Sequence, residues 1–118
     1  MDDDVWALTV DSLGDVYAGG YFTTAGGVAA NYIAKWDGTA WSALGTGAGR
    51  QDNYTPCVWA LAVDDSGNLY AGGYFTTAGG VDVNYIAKWD GTAWSTVGTG
   101  TDSGVRALAL AQLPQLFL

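Results

Sequence analysis

This sequence of 118 residues contains no histidine and no glutamate, one cysteine, two prolines and four basic side chains. Each scarcity excludes something. Without histidine the usual Ser-His-Asp and Cys-His arrangements cannot be built, nor can most transition-metal sites. Without glutamate, all twelve acidic residues are Asp, so paired-carboxylate catalysis would need two of them. Most of those Asp residues stand in turn-like contexts beside Gly, Ser or Asn. Cys57 has no partner for an internal disulfide, and its place at the start of an apolar strand reads as a small buried hydrophobe. Lys35, Arg50, Lys88 and Arg106 are scattered in a chain of net charge −8, which disfavours nucleic acid and anionic membrane surfaces. The poverty in Glu, Lys and Arg also argues against long helices. No apolar run is long enough to span a membrane as a helix. The acidic start Met1-Asp2-Asp3-Asp4 lacks the basic and apolar regions of a signal peptide. Taken by itself the chain reads as cytoplasmic; as part of a longer protein, a secreted one stays open.

What is abundant is glycine, at 18 residues, with Trp, Tyr, Val and Thr, which suit strands. The dominant feature is an internal repeat. Val5–Gly47 aligns without gaps on Val58–Gly100 at an offset of 53. The copies differ at nine pairs: Thr9/Ala62, Ser12/Asp65, Leu13/Ser66, Asp15/Asn68, Val16/Leu69, Ala29/Asp82, Ala30/Val83, Ala43/Thr96 and Leu44/Val97. A third copy begins at Val105-Arg106-Ala107-Leu108-Ala109-Leu110 and stops. The spacers Ala48–Cys57 and Thr101–Gly104 differ in length and read as surface loops. The division is therefore 1–57, 58–104 and a terminal strand with tail, 105–118.

Each copy reads as four strands. In the second these are Val58–Val63, Leu69–Phe75, a strand near Tyr85–Trp89, and Ala93–Val97. Asp64-Asp65-Ser66-Gly67-Asn68 and Asp90-Gly91 supply turns, and Thr76–Gly80 reads as a polar loop. The first strand is nearly all apolar and the fourth carries Ser95 and Thr96. That gradient fits a sheet radiating from a buried axis, with apolar residues on both faces to pack on neighbours. Four-stranded units recurring at this period point to β-propeller blades.

The residues carry a resemblance as well. Gly19-Gly20 and Gly72-Gly73 close the second strand, Trp36 and Trp89 lie in the third, and Trp41 and Trp94 open the fourth. This resembles the kelch-type blade. With the stretches Tyr-Ala-Gly-Gly-Tyr-Phe-Thr-Thr-Ala-Gly-Gly and Lys-Trp-Asp-Gly-Thr-Ala-Trp, it is similar to a bacterial family of highly repetitive kelch-like propellers. The resemblance implies scaffold and binding roles, with the tryptophans packing between blades. None of the signature residues of the family's few enzymes can be placed here, so no enzyme and no cofactor is expected.

Closed propellers use roughly four to eight blades. Two alone would leave two apolar faces in water, which soluble monomers rarely tolerate. The expectation is therefore a homo-oligomer, three copies giving six blades and four giving eight, or a piece of a larger propeller. The extra strand Val105–Leu110 could fill an innermost slot in a neighbouring chain.

Blade topology puts the loops after the second and fourth strands at one end. That end carries the candidate partner or ligand residues Tyr21, Thr23, Thr24, Asn31, Tyr74, Thr76, Thr77, Asp82 and Asn84. A protein partner is the first expectation. The alternative is a multivalent carbohydrate-binding propeller, with sugars stacking on Tyr21 and Tyr74 or on Trp41 and Trp94. Asp64–Asn68 has the oxygen ligands of a calcium loop but not its length or distal Glu, and reads as a hairpin turn. Gly45-Thr46-Gly47-Ala48-Gly49 has no helix to follow it, which excludes a phosphate loop. Asn53-Tyr54-Thr55 matches a glycosylation sequon, a short pattern.

Overall fold

The structure, a computed structural model, describes residues 4–50, 55–98, 100–101, 109–110 and 116–117, the last two pairs as backbone alone. The first repeat gives β1 (Val5–Val10), β2 (Val16–Gly20), the short strands β3 (Thr24–Ala25) and β4 (Val28–Ala29), β5 (Ile33–Trp36) and β6 (Trp41–Ala43). After β7 (Ala48–Gly49) the second repeat follows the same plan. It gives β8 (Val58–Val63), β9 (Leu69–Gly73), β10 (Thr77–Ala78), β11 (Val81–Asp82), β12 (Ile86–Trp89) and β13 (Trp94–Thr96). A last pair, β14 (Ala109–Leu110) and β15 (Leu116–Phe117), forms a small antiparallel ladder. The described residues contain no helix.

Two four-stranded antiparallel sheets result, ordered β1-β2-β5-β6 and β8-β9-β12-β13. Their turns are built by Asp side chains. Asp11 Oδ1 accepts from the backbone N–H of Leu13 and Asp15, and Asp64 Oδ1 from those of Ser66 and Asn68. Asp37 and Asp90 do the same in the turns before β6 and β13, each accepting two backbone N–H groups and a Thr hydroxyl. These are the local Asx bonds that make Asp favourable in turns. In the calcium-loop candidate Asp64–Asn68, both carboxylate oxygens of Asp64 accept hydrogen bonds within the hairpin itself.

Two expected loops are partly strand. The segment after the second strand folds as a hairpin, β3-β4 in one unit and β10-β11 in the other, turning at Gly26-Gly27 and Gly79-Gly80. The first spacer begins as β7, which pairs with β10 to make a three-stranded sheet. Their two-residue length hides them from any test of alternation. Of the terminal strand Val105–Leu110, Ala109 and Leu110 form β14, paired within this chain and lying beside β8; Val105–Leu108 lies outside the described residues.

The double glycines answer to close approach. A Cβ on Gly20 would strike the Asp4 carbonyl, and one on Gly73 the Cys57 carbonyl and Val58 Cα. The first strand can therefore cross the end of the second only where no side chain stands.

The two units pack face to face. Val58 is fully buried against Gly19 of the first unit. Tyr17, Ile33 and Leu44 of the first unit join Val58, Ala71, Phe75, Val83, Ala87 and Trp94 of the second in one buried cluster. A second cluster, Ala18, Phe22, Ala25, Ala30 and Ala34 with half-buried Trp41, lies in the first unit alone. Its members occupy the positions that in the second unit face the neighbour.

Candidate functional site

Both first strands carry a β-bulge at the same place. Val5 pairs with Gly20 and Ala7 with Gly19, leaving Trp6 between; Val58 pairs with Gly73 and Ala60 with Gly72, leaving Trp59 between. A bulged residue leaves the alternation and its side chain is re-aimed. Here both indoles meet the tyrosines that follow the double glycines. Trp6 stacks on Tyr21 with centroids 5.6 Å apart and planes 9° from parallel, and Trp59 stacks on Tyr74 at 5.9 Å. Trp6 and Trp59 lie 6.4 Å apart, joining the two pairs. Tyr74 in turn stacks on Tyr85 at 6.2 Å. The result is a continuous row, Tyr21-Trp6-Trp59-Tyr74-Tyr85, crossing both units at the end where first strands begin and second strands finish.

Arg50, from the first spacer, closes one end of the row. Its guanidinium carbon lies 4.0 Å from the Tyr74 ring centroid and 5.9 Å from that of Tyr85, a cation–π arrangement. The other end is open: Trp6 is 47% exposed and Tyr21 37%. Trp6, Trp59, Tyr85 and Arg50 were not among the residues singled out in the sequence. A bulge is set by pairing across strands, so alternation within one strand does not reveal it.

The expected gathering of loops at one end is present. Asn31 Nδ2 donates to the Thr46 carbonyl at 3.2 Å, and the Ala48 N–H donates to the Asn31 carbonyl. In the second unit the N–H and hydroxyl of Thr101 both reach the Asn84 carbonyl. The loop after the second strand is thus tied to the segment after the fourth in each unit. Asn31, Asn84 and Asp82 are exposed there. Thr23, Thr24, Thr76 and Thr77 are taken up by the hairpins: Thr23 and Thr76 accept at their carbonyls from Ala30 and Val83, and Thr24 and Thr77 lie in β3 and β10. Only Tyr21 and Tyr74 of the nine belong to the aromatic row.

Tyr32 and Tyr85 have φ of 71° and 68°, a left-handed conformation unusual for bulky side chains. Backbone hydrogen bonds hold each: the Tyr32 N–H donates to the carbonyls of Phe22 and Ala30 and its own carbonyl accepts from Gly20, while the Tyr85 N–H donates to Phe75 and its carbonyl accepts from Gly73. Because both repeats share it, the strain belongs to the unit's architecture. In the second unit it also sets the Tyr85 ring on Tyr74.

At the opposite end a cleft of about 340 Å³ is lined by Asp11, Asp15, Tyr17, Lys35, Asp65 and Gly91, among others. Lys35 pairs with Asp15 at 3.3 Å. Burial raises the Tyr17 phenol above its ordinary value; Lys35 opposes this, and Asp11, which accepts from the hydroxyl at 3.4 Å, adds to it. Among the described residues no group of three Cys or Asp side chains could hold a metal ion.

Trp41 and Trp94, the other aromatic candidates, do not join the row. Trp94 is buried between the units, 7% exposed, and Trp41 is half-buried on the outer face of the first. Of the sequon Asn53-Tyr54-Thr55, only Thr55 lies within the described residues. No family model, curated protein or solved structure matches this chain.

Proposed function

We propose that the chain is a non-enzymatic β-propeller module of kelch-like blades that closes a ring with further copies of itself and presents its loop end to a partner protein. The observation that carries this is the aromatic row, open at Trp6 and Tyr21 and backed by Arg50. Trp, Tyr and Arg are the side chains that dominate protein interfaces, because they bury much apolar surface and still hydrogen-bond. Stacking fixes the rings beforehand, so little side-chain freedom is lost when a partner docks. The surrounding charge selects the partner's. With net charge −8, and with Asp4 and Asp82 exposed at this end, the field favours a basic surface and accelerates its approach.

A second reading rests on the same exposed rings. Trp6 and Tyr21 offer aromatic surface to a sugar, and Asp and Asn side chains stand at the same end, so a repeated weak glycan site is the alternative.

Selection of a displayed random-peptide library on the immobilised chain, with a glycan array in parallel, tests both. The proposal expects basic peptides whose binding is lost on Trp6→Ala and Tyr21→Ala but kept on Leu13→Asp at the far end. Peptides that ignore the row and depend on Leu13 would refute it. Saturable glycan binding lost on Tyr21→Ala and Tyr74→Ala would install the second reading.

A further inference from the structure

The two units of this chain meet through surfaces that the repeat reproduces at both ends of the molecule. On one side of the internal interface stand Tyr17, Ile33 and Leu44; Tyr70, Ile86 and Val97 occupy the same positions in the second unit. On the other side stand Leu61, Ala71, Phe75 and Trp94; the first unit has Leu8, Ala18, Phe22 and Trp41 there. Apart from Val97 for Leu44, these residues are identical.

Exposure shows that the Leu8–Trp41 surface is unfilled; on the other, Ile86 is already buried in the single chain, while Tyr70 and Val97 are half-buried where Tyr17 and Leu44 are buried. Leu61 Cδ1 packs on Gly19 of the neighbouring unit, whereas Leu8 is 66% exposed. Val58 is fully buried, whereas Val5 is 39% exposed. Trp94 Nε1 donates to the Leu44 carbonyl at 2.8 Å, and for Trp41 Nε1 no acceptor is found among the described residues. Yet Trp41 is already set as Trp94 is. A Cβ on Gly26 would stand 2.6 Å from Trp41 Cδ1, and one on Gly79 2.7 Å from Trp94 Cδ1. The indole is oriented and its neighbour is missing.

We propose that the occupant is a second copy of this chain, seated head to tail: Leu8 and Trp41 of one copy dock on the half-buried Tyr70 and Val97 of the next, with Trp41 Nε1 donating to the Val97 carbonyl. The inference rests on the blade reading above and names the surface through which such a ring would close. The two surfaces differ, so the contact is heterologous: it repeats from copy to copy and closes by rotation.

Sedimentation of wild type, Leu8→Arg, Val97→Arg and an equal mixture of the two variants tests it. Leu8 is exposed, so Leu8→Arg blocks one surface without disturbing the fold; Val97→Arg blocks the other, and circular dichroism checks both. Wild type should sediment as an assembly, each variant as a monomer, and the mixture as a two-chain complex, because one live surface of each kind remains. Trp41→Phe, which keeps the ring and loses the donor, should weaken assembly about tenfold. A monomeric wild type overturns the inference in favour of a neighbouring unit in the same polypeptide, and a Leu8→Arg variant that assembles normally overturns the surface. Peptide binding at the aromatic row by a monomeric chain would leave the functional reading standing while this inference fails.

Discussion

The indole N–H of Trp94 donates to the carbonyl oxygen of Leu44 at 2.8 Å, across 50 residues of sequence and across the boundary between the two repeats. Both groups are buried, so the bond satisfies two polar atoms that water cannot reach. It also fixes the angle at which one sheet meets the next, because an indole donates in one direction only. Trp94→Phe should cost about 1–3 kcal/mol, since the Leu44 carbonyl is left unsatisfied. Trp94→Ala should cost about 3–5 kcal/mol through the added cavity. Trp41→Phe, at the equivalent position without that acceptor, should change the dilute chain's stability by less than Trp94→Phe does. Urea unfolding of the three variants at low concentration checks the order.

The close passage of Cys57 and Val58 over Gly73 makes a second prediction. Gly73→Ala would push a methyl group into backbone, which cannot rotate away as a side chain can. Overpacking of this kind costs typically ~1–3 kcal/mol, and backbone contact places Gly73→Ala at the upper end. Thermal unfolding should show a clearly lowered midpoint, with the aromatic row disturbed as well, because Trp59 lies in the bulge opposite Gly73.

Acid should weaken the turns. Hydrogen bonds from the backbone N–H of Thr39, then from that of Ala40, then from the Thr39 hydroxyl, hold the Asp37 carboxyl at about 2, below its ordinary 3.8. Asp90 is lowered by the same three donors in its own turn, Thr92 N–H first. A carboxylate with a depressed folded value contributes stability that is complete above its unfolded value and is lost as pH falls through the folded one. The contribution of Asp37 should therefore fade between about pH 4 and pH 2. Asp37→Asn keeps the accepting oxygen and removes the titration. The variant should lose less stability than wild type over that interval, as followed by unfolding at a series of pH values.

The row at the loop end should be separable from the fold. Trp6 and Tyr21 are exposed, so Trp6→Ala and Tyr21→Ala should leave the unfolding midpoint nearly unchanged, within about 0.5–1 kcal/mol. Trp59→Ala removes a ring that is partly buried against both Trp6 and Tyr74 and should cost more. Near-ultraviolet circular dichroism, sensitive to stacked indole and phenol rings, should lose intensity in all three.

The four-stranded unit was legible in the sequence because the repeat, the Asp-containing turns and the double glycines all punctuate it at matching positions. So was the gathering of two sets of loops at one end, which follows from antiparallel order alone. The strands β3, β4, β7, β10 and β11 were not, because two residues carry no periodicity. The aromatic row was half legible. Tyr21 and Tyr74 stand out after Gly-Gly, but Trp6 and Trp59 reach them only through a bulge defined by the partner strand. The differing burial of Trp41 and Trp94 could not be read from two identical stretches, since it depends on which neighbour each unit has.

The central claim is that these repeats are blades whose unfilled face is met by another copy. Absolute molar mass by light scattering over a range of concentrations tests it most directly. The account predicts a discrete multiple of the 12.2 kDa chain, three copies for a six-bladed ring or four for an eight-bladed one. A mass of one chain at every concentration would contradict it.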